Sequence, residues 1–209
     1  MSKYLPMSLR QRKKDQVRDE ILEAAGKLIA RLGYHPTNMR AIADHANISH
    51  QTLYNYFPTK AALLKALLSR DAAKITDPLS ALLDERHGNL LSLLTTAVST
   101  LFKVLDQNDR SLWCEVWTVS IRQPGEFLPL YDDYDQDAQR LFGGAVVDAR
   151  RRGDLVETLD VELLAQTIYS IVDYAGLVFI MRPELTANDT IAQVVAQLEL
   201  LIRPYLRAD

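Results

Sequence analysis

Residues 37–57, TNMRAIADHANISHQTLYNYF, read as two short helices joined by a tight turn. In the second helix Leu53 and Phe57 lie four residues apart and so share one buried face. Ser49 supplies the hydroxyl that is favoured at the start of a helix. Asn47 stands where a left-handed residue is needed to end the first helix, and asparagine tolerates that conformation better than most residues. The stretch therefore predicts a helix-turn-helix.

The outward face of the second helix carries polar and aromatic side chains: His50, Gln51, Thr52, Tyr54 and Asn55. A helix fits the major groove of B-DNA, which is about 12 Å wide. There glutamine and asparagine pair with adenine, a threonine methyl packs on a thymine methyl, and tyrosine reaches a base edge or a phosphate. The alternative is an ordinary surface helix of a bundle, which the shortness of both helices and the aromatic density disfavour.

Basic side chains are concentrated near the N-terminus. Residues 1–60 hold ten Lys and Arg against five Asp and Glu, whereas residues 61–209 hold fourteen against twenty-two. The two balances, +5 and −8, give the net charge of −3. This asymmetry is expected when one end of a protein meets a polyanion, although a solvated basic tail would produce it equally well.

Apolar residues recur at helical spacing, and no alternating strand pattern persists, so we predict an all-α protein. The first helix should begin near Leu9 or Asp15 and end at Leu32, before Gly33, and Thr37 should cap the second helix. A long fourth helix should begin after Thr59. Later breaks in the pattern predict six further helical segments, over 79–87, 90–106, 109–122, 129–152, 160–182 and 189–206. With the first four helices this makes ten, or nine if the segment 79–87 continues the fourth helix.

Residues at fixed spacing extend the N-terminal pattern over about residues 10 to 66: Gly33, Thr37, Ile42-Ala43, Ala46-Asn47-Ile48-Ser49, Thr52-Leu53-Tyr54, Tyr56-Phe57, Lys60 and Leu63. This segment resembles the tetracycline-repressor family of transcription regulators. The main departure is Asn47, where the family usually has glycine. The resemblance implies a helix-turn-helix DNA-binding domain over 1–60, with a basic arm, and a helical effector-binding and dimerisation domain over 61–209. The second part resembles the family only in the number and length of its helices.

The resemblance implies DNA contacts residue by residue. Phosphates would be held by Thr37, Tyr56 and Lys60. Base edges would be faced by His50, Gln51, Thr52, Tyr54 and Asn55, with Ser49 at the start of their helix and Arg40 beside the groove. The basic arm consists of Arg10, Arg12, Lys13 and Lys14. It would lie along the DNA backbone or enter the minor groove, and the alternative is a disordered basic tail.

Aromatic side chains are plentiful in the second part, and in this family the corresponding helices enclose an effector pocket. Any one aromatic residue is more often part of a core than of a pocket, so the prediction concerns the group. The predicted pocket residues are seven aromatic residues and one aspartate: Phe102, Trp113, Trp117, Phe127, Tyr131, Tyr169, Asp173 and Tyr174.

Asp173 allows two interpretations. With Gln166 and Ser170 it forms a polar stripe, which favours a solvated or interface-edge face. The sharper hypothesis is an anchor for a ligand that carries an amine or a hydroxyl, supported by nearby aromatic faces. Glu115, which shares a face with Arg122, is predicted to be solvated.

The last two helices carry apolar residues on more than one face, so packing on one core would leave a second stripe uncovered. We therefore predict a homodimer joined by four helices, as is usual in the family. The predicted interface residues are Leu164, Ile168, Ile171, Ala175, Gly176, Val195, Leu198 and Ile202.

These patterns predict a dimeric regulator, a repressor rather than an activator, that binds an inverted-repeat operator and is released by a small organic effector. The alternative is a helical protein-interaction module that keeps the head without regulated DNA binding. We expect no enzyme and no cofactor, since no nucleophile elbow, glycine-rich phosphate loop or metal constellation appears. No metal is expected at the alternating Asp133, Asp135 and Asp137, since a calcium loop would need glycine and glutamate where the chain has Ala138 and Gly144. No membrane span or secretory signal is expected, and the cytoplasm is the predicted location.

Overall fold

The computed structural model describes residues 8–84, 89–107 and 109–207, without the side chains of 75, 79, 80, 82–84, 126–135 and 137. Over this part the chain forms nine α-helices and one 3-10 turn, and a single antiparallel bridge joins Leu155 to Leu206. The predicted all-α class is confirmed. The elements are α1 (Leu9–Leu32), α2 (Met39–His45), α3 (His50–Tyr56), α4 (Lys60–Asp84), α5 (Leu90–Gln107), α6 (Arg110–Arg122), α7 (Pro124–Arg152), α8 (Val161–Met181), α9 (Ala187–Ile202) and the 3-10 turn Arg203–Tyr205.

Prolines lie at three helix boundaries that the sequence left open or placed differently. α4 runs through Pro78, so the segment after it continues the fourth helix. α7 begins at Pro124 instead of residue 129, since proline fits the first turn, where its missing N–H is not needed. Conversely, α9 stops at Ile202, and Pro204 lies in the 3-10 turn that follows.

The buried side chains form two clusters. The first, which we call the head core, joins α1 to α2, α3 and the first turns of α4. The second, the body core, joins α5 to α7, α8 and α9. The predicted boundary at residue 60 coincides with the start of α4, but the head core extends past it through Leu63, Leu64 and Leu67.

Helix α6 belongs to both clusters. Leu112 and Val119 are buried in the head core, whereas Trp113 packs against the body core. Successive residues of a helix point about 100° apart, so neighbouring positions can serve two different cores. The helix thus connects the head mechanically to the body.

Helix α8 is the one helix of the described chain that is long and apolar enough to cross a membrane. It packs against both α7 and α9, and its buried residues lie in the body core. Of its most apolar window, 33% is buried inside the protein.

Candidate functional site

The turn between α2 and α3 is tight and held by the main chain. Asn47 has a φ of 54°, which confirms the left-handed conformation predicted for it. The amide of Ile48 donates to the carbonyl of Ala43 at 3.0 Å. Ser49 then caps α3, because its hydroxyl accepts from the amide of Thr52 at 3.1 Å. The helix-turn-helix is therefore fixed by local hydrogen bonds.

The outward face of α3 is accessible and partly preorganised. Tyr54 is 49% exposed. The side-chain Nε2 of Gln51 donates to Oδ1 of Asn55 at 3.1 Å, so these two exposed side chains lie side by side. His50 lies with Nε2 3.6 Å from an Asp44 carboxylate oxygen on α2. Such a row of donors, acceptors and an aromatic ring suits base edges in a major groove.

The hydroxyl of Thr52 is hydrogen-bonded to that of Ser49 at 2.8 Å, so both are partly committed to the start of the helix. Arg40 is exposed on α2, beside α3, and Tyr56 is half-buried. The side chains predicted for the basic arm are exposed on the first turns of α1, so the arm is helical from Leu9 onward rather than an extended tail.

Thr37 and Lys60 do not have the phosphate-binding geometry that the resemblance implied. Thr37 is 1% exposed, and its hydroxyl donates to the carbonyl of Gly33 at 2.8 Å. The cap of α2 is Asn38 instead, whose side chain accepts from the amide of Ala41. Thr37 therefore anchors the loop between α1 and α2.

The ammonium group of Lys60 is occupied by the same loop. Its Nζ donates to the carbonyls of Tyr34 at 2.8 Å, His35 at 3.3 Å and Thr37 at 2.8 Å. It also lies 4.2 Å from the centre of the Tyr34 ring, a cation–π contact. Partial burial lowers the pKa of Lys60. Three carbonyls match the three donors of an ammonium, so in this arrangement Lys60 secures the loop.

Glu115 on α6 contacts the same loop, which the sequence did not indicate. Its Oε2 accepts from the backbone amide of Tyr34 at 2.9 Å. The predicted solvated position is therefore wrong: Glu115 is half-buried and bonds the head to the body. Gly33, with a φ of 87°, lets the carboxylate approach, because a Cβ there would lie 3.3 Å from Oε2.

A cavity of about 90 Å³ lies on the other side of α6. One water needs roughly 10–15 Å³ of such space, so this cavity accepts a molecule of several heavy atoms. Its walls come from five consecutive helices and are mostly apolar. The described lining residues are Thr76, Leu101, Leu105, Trp113, Val116, Trp117, Ser120, Ala138, Leu141, Phe142, Tyr169, Val172, Asp173, Gly176, Leu177 and Ile180.

Four of the predicted pocket residues line this cavity: Trp113, Trp117, Tyr169 and Asp173. Phe102 does not, because it is fully buried in the body core against Phe179, with ring centroids 5.3 Å apart. Tyr174 is 68% exposed and points away, on a groove between α8 and α9. The side chains of Phe127 and Tyr131 lie outside the described part of the structure.

The residues predicted for the dimer interface separate into two sets. One set is committed to the single protomer: Gly176 lines the cavity, and the body core contains Leu164, Ile168, Leu198 and Ile202. The other set is half-buried and consists of Ile171, Ala175 and Val195. Ile171 and Ala175 line the groove with Tyr174, so this groove is the surface on which a dimer proposal has to rest.

The exposed side chains of α3 support a first prediction about operator binding. Replacing Gln51 or Tyr54 with alanine should cost about 1–3 kcal/mol of operator affinity and relax the preference at particular base pairs. Binding to operator variants, measured at one salt concentration, checks this. A matched control is Gln16→Ala on the exposed side of α1, which should change nothing. Unaltered affinity in both α3 variants, with folding intact, would contradict the assignment.

Comparison with known proteins agrees with this geometry. The family model described as "Bacterial regulatory proteins, tetR family" matches residues 21–67, which span the last turns of α1, the helix-turn-helix and the start of α4. The fatty acid metabolism regulator protein of Bacillus subtilis (strain 168) is 25% identical over 184 residues, which cover 88% of this chain and 92% of that protein. The transcriptional repressor KstR of Rhodococcus jostii (strain RHA1) is 27% identical over 189 residues, which cover 88% and 82%.

A solved structure shows the same fold. The transcriptional regulator FadR from Bacillus subtilis, in complex with stearoyl-CoA, superposes with a TM-score of 0.74 at 24% identity over 88% of this chain and 97% of that one. The relatives are transcription regulators rather than enzymes. With its head core, its capped helix-turn-helix and relatives of this kind, this chain is a DNA-binding transcription regulator, and its residues 21–67 match the DNA-binding segment of the tetR family of bacterial regulatory proteins.

Proposed function

We propose that the protein is a dimeric cytoplasmic repressor that a small organic ligand releases from an inverted-repeat operator. The observation that carries this proposal is the position of α6. One face of this helix contributes Leu112 and Val119 to the head core, and another contributes Trp113 and Trp117 to the cavity wall. A ligand that displaces the tryptophans therefore acts on a helix that is also part of the head.

The hydrogen bond from Tyr34 to Glu115 supplies a second, polar connection. Glu115 lies between Trp113 and Trp117 in sequence, and its carboxylate holds the loop that Lys60 holds from α4. A shift of α6 therefore moves or breaks a bond to the α1–α2 loop, and through it changes the position of α2 and α3. The ligand must bind the DNA-incompetent arrangement more tightly for this to release DNA.

Two heads are needed for a palindromic operator. A dimer places two recognition helices about one DNA turn apart, roughly 34–36 Å, so each reads one half-site. The groove between α8 and α9 supports a partner surface on these two helices, which also carry exposed apolar side chains: Leu163, Tyr174, Met181 and Leu200. This surface favours a dimer as the form that binds the operator.

The ligand proposal rests on the apolar lining of the cavity. Ligand sites are mostly apolar with a few placed polar groups, and here Thr76, Ser120 and Asp173 are the described polar members that accompany the aromatic rings. The stearoyl-CoA complex of the Bacillus subtilis regulator supports a ligand site in a protein of this fold.

The regulatory test begins with an operator. Duplex DNA from upstream of the protein's own gene, with an inverted repeat, is the first candidate, and selection from random duplexes is the second. Small molecules are then screened by the fluorescence of Trp113 and Trp117, which are the chain's only tryptophans.

A true effector should change this emission, raise the melting temperature and lower operator affinity by about 5–150-fold. Trp117→Ala should weaken the effector while leaving ligand-free operator binding unchanged. A compound that binds the cavity and raises the melting temperature, yet leaves the protein–DNA complex unaffected, would contradict the proposed release mechanism.

The second candidate function is an interaction module that keeps the head without regulated DNA binding. The exposed groove is the observation that favours it, since the groove could hold another protein. Salt-dependent binding of duplex DNA decides between the two, because phosphate contacts make affinity fall steeply with salt. Absence of such binding would favour the module.

A further inference from the structure

The wall of the cavity combines aromatic faces with one carboxylate. Asp173 carries the single charged side chain among the described lining residues, and Tyr169 lies one turn before it on α8. Trp113 and Trp117 line the side formed by α6, and Phe142 lines the side formed by α7. From this set we infer that the ligand of the cavity is a compact organic cation, a substituted ammonium, whose charge is held by Asp173. The inference rests on the ligand-binding function proposed above.

The aromatic rings suit the outer groups of such a cation. A cation within about 6 Å of a ring centre is attracted by the negative face of the ring, most strongly by tryptophan. Methyl and methylene groups on an ammonium also bury apolar surface, which a bare ammonium does not. Four described aromatic side chains around one cavity offer both contributions: Trp113, Trp117, Phe142 and Tyr169.

The carboxylate selects against other charge types. An anionic ligand would bring a second negative charge towards Asp173, and the described lining residues include no lysine, arginine or histidine to balance it. A neutral apolar ligand would remove water from the carboxylate without replacing its favourable interactions, which is costly. A cation avoids both penalties.

The position of Asp173 differs from that of the other members of its predicted polar stripe. Gln166 and Ser170 are exposed and line two separate surface hollows, whereas Asp173 is half-buried in the cavity wall. Asp173 also interacts with other groups of the protein. Because charge attraction does not require a free hydrogen-bond acceptor, a bound cation adds to these interactions.

Matched probes test the charge preference on the wild-type protein. Choline and 3,3-dimethylbutan-1-ol have the same shape and hydroxyl, but carbon replaces the charged nitrogen in the alcohol. Benzyltrimethylammonium extends the cation series, and decanoate is the anionic probe. Tryptophan fluorescence and the melting temperature should respond to the cations at concentrations about tenfold or more below those needed for the alcohol, and decanoate should be weaker still.

Asp173→Asn should remove this cation preference while the response to 3,3-dimethylbutan-1-ol is unchanged. The matched control is Asp148→Asn, the same change at an exposed position on α7 outside the cavity. A preference that survives in Asp173→Asn overturns the inference, as does a wild-type protein that binds the alcohol or decanoate as tightly as the cations, or that responds to none of the probes. If the cations bind with the expected preference but leave operator affinity unchanged, the ligand class stands and the proposed release mechanism fails.

Discussion

Replacing Lys60 with methionine is expected to lower the free energy of unfolding by about 2–4 kcal/mol. The substitution keeps the length of the side chain but removes the three donors that reach the carbonyls of Tyr34, His35 and Thr37. Hydrogen bonds from a charged group contribute about 1.5–3 kcal/mol each, and partial solvation of this site reduces the sum. Urea unfolding with tryptophan fluorescence and circular dichroism measures the change.

The control for this prediction is Lys27→Met on α1. Lys27 is exposed and pairs with Glu23 of the same helix, so its loss should cost only a few tenths of a kcal/mol. DNA binding by the folded variants separates the two roles of Lys60. If Lys60 held a phosphate, its loss would reduce the salt dependence of operator binding by about one phosphate contact without lowering stability. That pair of results would contradict the loop-securing role.

Replacing Tyr174 with arginine should convert the proposed dimer to monomers at micromolar concentration. Tyr174 is 68% exposed in the protomer and lies in the groove between α8 and α9, with Ile171 and Ala175 nearby. A charge buried without a partner at an interface is strongly destabilising. Loss of the second head should then weaken operator binding by about 100-fold or more, since each half-site is bound alone.

Sedimentation with and without operator DNA checks the assembly state. Tyr205→Arg is the matched control, because Tyr205 is also exposed but lies in the 3-10 turn after α9, outside the groove. It should leave the sedimentation coefficient unchanged. The two-half-site proposal fails if the wild-type protein sediments as a monomer on and off DNA.

The helix-turn-helix could be predicted because its determinants are local. The cap at Ser49, the left-handed Asn47 and the spacing of Leu53 and Phe57 all act within a few residues of one another. The same holds for the end of α1 at Gly33. Such short-range signals are readable from one sequence.

The roles of Lys60 and Glu115 could not be predicted because their partners are distant in the chain. Lys60 bonds carbonyls 23 to 26 residues away, and Glu115 bonds an amide 81 residues away. A pattern of charges predicts exposure in both cases, and only the packing of α6 and α4 around one loop shows otherwise.

The apolar helix α8 posed a different difficulty. Its residues serve a core, a cavity and an exposed groove on different sides, as Ile168, Gly176 and Tyr174 show. Helical periodicity identifies an apolar side chain but not which neighbour covers it. The predicted dimer interface therefore mixed residues of all three surfaces.

The bond between Glu115 and the amide of Tyr34 has a consequence for the divergence of such regulators. Every residue except proline offers an N–H at that position, so the connection does not depend on the side chain the head carries there. Position 33 is different, since its φ of 87° and the nearby carboxylate both favour glycine. The proposed control of the head by the body would therefore tolerate a change of side chain at position 34 to any residue except proline, provided that glycine is kept at position 33.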